Sequence, residues 1–398
     1  MRATILLLIA GFAALAPARA EAQSWPDAPI VVDLGGAGRL VVGGEASAAA
    51  GRDDQTAFFN YTDYEHNTLR LIRLALAARW QMARRVAILA DIRSENFETP
   101  EPYALYLRVS PVDGVPLDIQ AGRIPPVFGR FARHAYASDN PLIGYPLAYQ
   151  YLTSLRADAV PGTAADLLRM RARGWLVTYP VGRAEAAPGL PMISAFRYDT
   201  GVQARYAPGI FDFSAVVTTG TLSNPRVGDD NGGRQIAMRA GMQPAAGLIA
   251  GISASRGAWL ADEVVPAEMK HAHRQDAVGV DIEYSRDRWL VRGEAILSRW
   301  RLPSIAPALD ARAAFVEGRV RVHPRAFAAA RVDRLDFSTL ESGNVADEWD
   351  APVTRIEAGG GWYFRRNLVG KAVWQYNWRD GGRERRRGFA SAQLLFWF

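Results

Sequence analysis

Residues 388–398 read GFASAQLLFWF, ending on Phe398. Counted back from that residue, Phe396, Leu394, Ala392 and Ala390 share one face with it. Ser391 and Gln393 lie on the other. Strand side chains alternate with period two, and a segment of this length matches a strand that crosses a bilayer. Two readings fit: an amphipathic edge strand, or a wall strand with lipid on one side and water on the other. Leu395 and Trp397 fall on the polar face. Either they pack at the mouth of the wall, or the register is broken there.

The opposite end favours the wall. Arg2 forms a short basic region, Ile5 to Ala16 is apolar, and Ala18-Arg19-Ala20 is a small-x-small site after Pro17. Residues 1–20 therefore read as a secretory signal peptide cleaved after Ala20, with Ala22 as a second fit, and the mature chain is exported. The chain has no cysteine. An exported protein without disulfides needs another source of cohesion, which an inter-strand ladder supplies. Hydrophobic residues make up 49% but are dispersed in alternation, with no run long enough for a spanning helix. Net charge is +6 and only Lys270 and Lys371 are lysines. The arginines are interleaved with carboxylates, which argues against nucleic acid as a partner.

Alternation continues upstream. Leu368, Gly370, Ala372, Trp374, Tyr376 and Trp378 oppose Lys371, Gln375 and Asn377. Further apolar rows oppose Arg292/Glu294, Glu317/Arg319/Arg321, Arg331/Asp333 and Arg355/Glu357. Short connectors are expected at Ala207-Pro208-Gly209, Gln243-Pro244-Ala245, Ser285-Arg286-Asp287, His323-Pro324-Arg325 and Arg365-Arg366-Asn367. Longer ones are expected at 222–232, 258–273, 301–310, 338–351 and 379–387. Five strands before Pro125 and eleven after about Ile193 give about 16, within a range of 14 to 18. The expected fold is all-β: a transmembrane antiparallel barrel over residues 38–398, with short periplasmic turns and long external loops. Residues 21–37 form a periplasmic extension or the start of the first strand. Aromatics at strand ends, among them Trp80, Tyr103, Trp289, Trp300, Trp349 and Trp362, are expected in girdles at the two interfaces.

The terminal strand resembles the closing strand of Gram-negative outer-membrane β-barrels. That resemblance implies that Phe398, Phe396 and Leu394 form the signal read by the barrel-assembly machinery. The architecture of the mature chain resembles general porins, whose third external loop folds into the lumen. The run AGRIPPVFGRF, residues 121–131, is similar to a motif of phosphate-selective-type porins. The resemblance implies a water-filled channel for small hydrophilic solutes, surrounded by outer-membrane lipid and lipopolysaccharide, and a homotrimer.

One connector, residues 125–192, is far longer than the rest and is the third external loop by count. Thr163 and Asp166 mark a helix start by a capping box, with Arg169 and Arg173 on one face four residues apart. The expected pore constriction is Arg123, Arg130, Arg133, Asp139, Arg169 and Arg173, giving a preference for anions. The competing view is that these arginines face water or lipopolysaccharide phosphates. The expected lumen wall carries Arg292, Glu294, Glu317, Arg319, Arg321 and Lys371.

Enzyme readings rank lower. The five histidines, His66, His134, His271, His273 and His323, make no Ser-His-Asp arrangement, and Glu268/His271/His273 is a weak metal spacing. No cofactor and no metal are expected. The alternative to a porin is a structural or partner-binding barrel, such as an adhesin or an assembly sheath, with a plugged or occupied lumen. A barrel hydrolase follows behind it.

Overall fold

The computed structural model describes residues 29–398 except 53–58, 62–65, 135, 196–197, 230 and 266–271. The proposed signal peptide and the Glu268 and His271 positions lie outside the described residues.

Sixteen antiparallel strands close into one barrel. Five, Arg39–Gly51, Ile72–Ala83, Val86–Glu95, Glu101–Val109 and Leu117–Ile124, precede the long connector. Eleven follow it, from Asp199–Tyr206 to Arg386–Trp397. The seam joins the first and last of these, from Glu45 opposite Trp397 to Gly51 opposite Ser391. Where the last strand runs out, Phe398 and Gly44 exchange both backbone hydrogen bonds, at 3.0 and 3.1 Å. Below them Ile30–Asp33 takes over the ladder, pairing with Arg39 to Val42. A closed ladder leaves no unpaired edge in the wall, which a bilayer requires.

Side chains segregate by parity. In the last strand Leu394 and Phe396 are 52% and 42% exposed on the outside, while Leu395 and Trp397 are buried inside. The inward pair is packed at the short-turn mouth, with Trp397 edge-on to Tyr363 at 6.5 Å. Trp80, Trp289, Trp362 and Trp374 are on the outer surface. Tyr103, Trp300 and Trp349 are not, and belong to an interior apolar cluster. Their strand-end position was legible, but not the face.

Turns are short on one rim and long on the other. The turn expected at Gln243-Pro244-Ala245 falls two residues later, because the strand Gln235–Ala245 continues through a bulge between Met242 and Ala245. A bulge spares Pro244 the donor it lacks. The expected loop 338–351 contains its own hairpin, Thr339–Ser342 with Val345–Glu348.

Candidate functional site

The long connector enters the barrel. It leaves the wall after Ile124 and rejoins it at Asp199. Its aromatic and proline content gives it a core of its own. The Phe131 ring lies 5.0 Å from Tyr149, 5.8 Å from Tyr145 and 5.8 Å from the wall residue Phe315. Leu142, Leu147, Leu155 and Val177 are fully or almost fully buried within the same cluster. Near its two ends Val127 and Tyr198 pack on Leu89, Tyr106, Val216 and Ala237 of the opposite wall.

A segment buried in a lumen must satisfy its backbone polar groups. Here the inward charges of the wall do so. Glu45 accepts from the amides of Ala137 and Ser138, at 2.9 and 3.1 Å. Glu294 accepts from the amides of Arg130 and Phe131 and from the Tyr149 hydroxyl. Glu357 accepts from Ile143 and Gly144, at 3.3 and 2.9 Å. On the cationic side, Lys371 Nζ donates to the carbonyls of Ala137 and Asn140, both at 2.6 Å. Arg355 donates to the Tyr145 carbonyl at 3.0 Å, and Arg73 to the Tyr145 hydroxyl at 2.6 Å. Charge-assisted hydrogen bonds of this kind are stronger than neutral ones. They hold the segment from several sides of the wall.

Close approach explains one glycine. A Cβ on Gly144 would sit 2.5 Å from a carboxylate oxygen of Glu357 and 2.8 Å from Gln375 Nε2. Glu357 has little room to yield, because Arg331 Nη2 holds it at 2.7 Å. Arg331 is itself a hub: it also donates to Glu317 at 2.9 Å and Asp333 at 3.1 Å. Glu317 in turn accepts from Arg292 at 2.6 Å.

At the long-loop rim Asp350 does the same work. It accepts from the amides of Ser154, Ala172 and Ala351, at 2.7 to 2.9 Å. Burial pushes its carboxyl above the usual range, against those bonds, which pull it down. The helix Ala164–Arg169 lies on this rim with its capping box formed by Thr163 and Asp166. The Thr163 hydroxyl bond is the leading cause that lowers the Asp166 carboxyl.

The expected constriction residues do not converge. Arg123 stands opposite Leu105, which is exposed on the outer face, so it shares the outward register. Its guanidinium is tied to the carbonyls of Pro102 and Tyr198 at the rim. Arg169 is 62% exposed and paired with Asp166. The helix ends at Arg169, and Ala172 adopts a φ of 62°, so Arg173 lies beyond the turn, exposed. Arg123 is a correction, since register sends it outward, while Arg169 and Arg173 stand with the helix that packs on the strand Thr339–Ser342 of an external loop and do not meet Arg130. Arg130 does reach it, and pairs with Glu283 at 3.0 Å. The Arg133 side chain lies outside the described residues. Asp139 lines a cavity at the short-turn mouth.

That cavity holds about 500 Å³ and opens toward the short turns. Arg319, Arg321, Arg325, Arg365 and Arg366 line it, beside Phe327, Tyr363 and Trp397. None of the five arginines has a carboxylate partner among the described residues. Elsewhere on the same rim Arg84 and Arg85 share Asp113, and deeper in the lumen Arg239 pairs with Asp281. Of the expected wall residues, Arg292, Glu294, Glu317 and Lys371 are buried against the inserted segment or one another, while Arg319 and Arg321 line the cavity. The unpaired set was missed as a group. Its signal was the excess of arginines over carboxylates in successive short turns, at Arg325 and Arg365-Arg366.

Among the described residues the histidines offer no shared site. His66 lies 3.3 Å from Glu98, and His323 stacks on Trp362 at 5.6 Å.

No protein-family model matches the chain, and no curated protein matches it. Solved structures do. OmpF of Salmonella typhi, in complex with daunomycin, superposes with a TM-score of 0.58 at 10% identity, over 93% of this chain and all of that one. An anion-selective porin from Comamonas acidovorans gives 0.57 at 9% identity, over 90% and 99%. The trimer form of OmpT, an outer membrane protein of Vibrio cholerae, gives 0.55 at 10%, over 90% and 99%. The fold is therefore a porin-type β-barrel.

Proposed function

We propose that this chain is an outer-membrane channel of the porin type, passing small hydrophilic, preferentially anionic solutes without catalysis. It reaches that membrane by export with a cleaved signal peptide of residues 1–20. Phe398, Phe396 and Leu394 are its assembly signal, lipid and lipopolysaccharide surround it, and it assembles as a homotrimer. The observation that carries the anionic preference is the set of five arginines without carboxylate partners at the short-turn mouth. An excess of fixed positive charge in a confined opening raises the local anion concentration. The inserted segment is the restricting element. Of the residues expected at a constriction, Arg130 and Asp139 keep a place in the conduction path.

Planar bilayers test this with the purified barrel under a potassium chloride gradient. Stepwise conductance with a reversal potential on the anion side is expected. A cation-side reversal potential removes the selectivity. A second reading, a structural or partner-binding barrel, is favoured by the inserted segment packing on both sides of the lumen. It wins if correctly folded, heat-modifiable protein gives no conductance at all.

A further inference from the structure

Three features of the molecule are not used by a channel that only restricts flow. One is the outward apolar concavity around Phe213, Met238 and Val280. Another is the buried Asp350 clamp on the long-loop rim. The third is the short-turn cavity, which combines charge with aromatic surface and carries an inference furthest.

Five unpaired guanidiniums surround about 500 Å³. A set of arginines this close repels itself unless anions, water or salt screen it, and guanidinium forks match phosphate and carboxylate oxygens. For a pore that needs only a positive mouth, the remaining wall is unnecessary. Yet Tyr363 is half-buried on the cavity surface, backed by Trp397 at 6.5 Å and Phe327 at 5.8 Å. Arg319 lies 5.9 Å over the Phe327 ring, joining the charged side to the aromatic side. The volume falls within the range of small-molecule sites, and such sites pair a few placed polar groups with an apolar wall. The overhead surface is closed by the inserted segment at Ser138, Asp139 and Asn140, so a solute arriving from the short-turn side meets a pocket before it meets a passage.

We propose that this vestibule is a binding site for planar aromatic polyanions, of which a nucleoside phosphate is representative. The ring stacks on Tyr363 and the charged group lies among Arg321, Arg365 and Arg366. The inference deepens the channel reading, on which it rests for an opening from the short-turn side to water.

Titration calorimetry of the detergent-folded full chain tests it with three probes: adenosine 5′-monophosphate, adenosine and inorganic phosphate. The monophosphate binds at least about tenfold more tightly than either part, because stacking of a base on an aromatic ring contributes a factor of roughly five or more. Tyr363→Leu lowers monophosphate affinity toward that of phosphate and leaves phosphate unchanged. The double variant Arg321→Gln, Arg366→Gln lowers both anions about tenfold or more and flattens the salt dependence. Arg321 and Arg366 are exposed and Tyr363 is half-buried, and the heat-modifiable form reports whether each variant folds. The proposal is overturned if monophosphate binds no more tightly than phosphate, or if neither variant changes its affinity. It is also overturned if a tetraglutamate peptide binds more tightly than monophosphate, which makes the mouth a peptide dock. Reversal potentials in plain potassium chloride separate the two claims. Anion preference without monophosphate binding sinks the site alone, and binding without conductance sinks the channel alone.

Discussion

Replacing Arg331 with methionine removes the centre of the lumenal ion network while keeping an unbranched side chain. Arg331 is fully buried and donates to Glu317, Asp333 and Glu357. The three acceptors are not equally exposed to the loss. Glu317 keeps Arg292, and Glu357 keeps the amides of Ile143 and Gly144. Asp333 loses its only side-chain hydrogen-bond donor among the described residues and keeps the Leu147 amide and the more distant Arg355 charge. Removing one partner of a buried ion pair costs about 3–5 kcal/mol, mostly for the charge left behind. That corresponds to a fall of roughly a hundred to several thousand fold in the folding equilibrium constant. Because the damage concentrates on one carboxylate, Arg331→Met with Asp333→Asn should recover at least about 1 kcal/mol. A control, Arg334→Met, breaks the half-exposed pair with Asp336 and should cost no more than about 1 kcal/mol. Urea unfolding in lipid vesicles, read by the heat-modifiable gel shift, measures all four proteins. If Arg331→Met unfolds at the wild-type midpoint, or the double variant is no better than the single, the hub does not hold the lumen together.

Three further outcomes follow from individual contacts. Gly144→Val should push the inserted segment off Glu357, costing about 1–3 kcal/mol by overpacking and increasing single-channel conductance; unchanged conductance and stability refute the close contact. At Asp350 the folded carboxyl lies above its unfolded value, so its contribution is complete below the unfolded value and is lost as pH rises through the folded one. Unfolding in urea at pH 4 and pH 7 should therefore show a pH-dependent loss that Asp350→Asn makes smaller. Phe398→Ala leaves the two backbone bonds to Gly44 but removes the ring beside it, and pulse-chase in cells should show slower appearance of the heat-modifiable form.

Alternation made the wall legible. Leu394, Phe396, Val278, Val280 and Ile282 face outward because a strand has two faces and lipid demands apolar side chains on one. The count of sixteen followed from turn residues such as His323-Pro324-Arg325, where short connectors leave few choices. What alternation does not encode is what stands opposite the polar face. Glu45, Glu294 and Glu357 have the same period whether they meet water or the amides of an inserted segment. Leu395 and Trp397 were awkward for a water-lined wall and are natural beside protein, since they pack into the interior cluster. Arg123 shows the converse: nearness to the loop suggested the lumen, but register sends it outward. Arg173 was placed by helical spacing past the residue where the helix stops.

The distribution of paired charge decides where selectivity should be set. Glu45, Glu294, Glu357, Lys371 and Arg355 are committed to the backbone of the inserted segment, and Arg130 to Glu283. An ion pair such as Arg130 with Glu283 or Arg331 with Glu357 acts on a passing ion as a dipole, while charges held by backbone amides and carbonyls are buried under the segment they hold and stand away from the open mouth. The five mouth arginines have no such partner, and they stand where a solute is still hydrated. Selectivity should then respond to the mouth and not to the middle. Arg321→Gln with Arg366→Gln should move the reversal potential toward zero, more strongly at low salt, where the screening length is about 30 Å, than at 1 M, where it is about 3 Å. Arg130→Gln with Glu283→Gln removes both members of an ion pair and leaves net charge unchanged, so it should leave the reversal potential within error of wild type while changing conductance. If this double variant shifts the reversal potential as much as the mouth variant does, the field is set at a constriction and the assignment of selectivity to the vestibule fails.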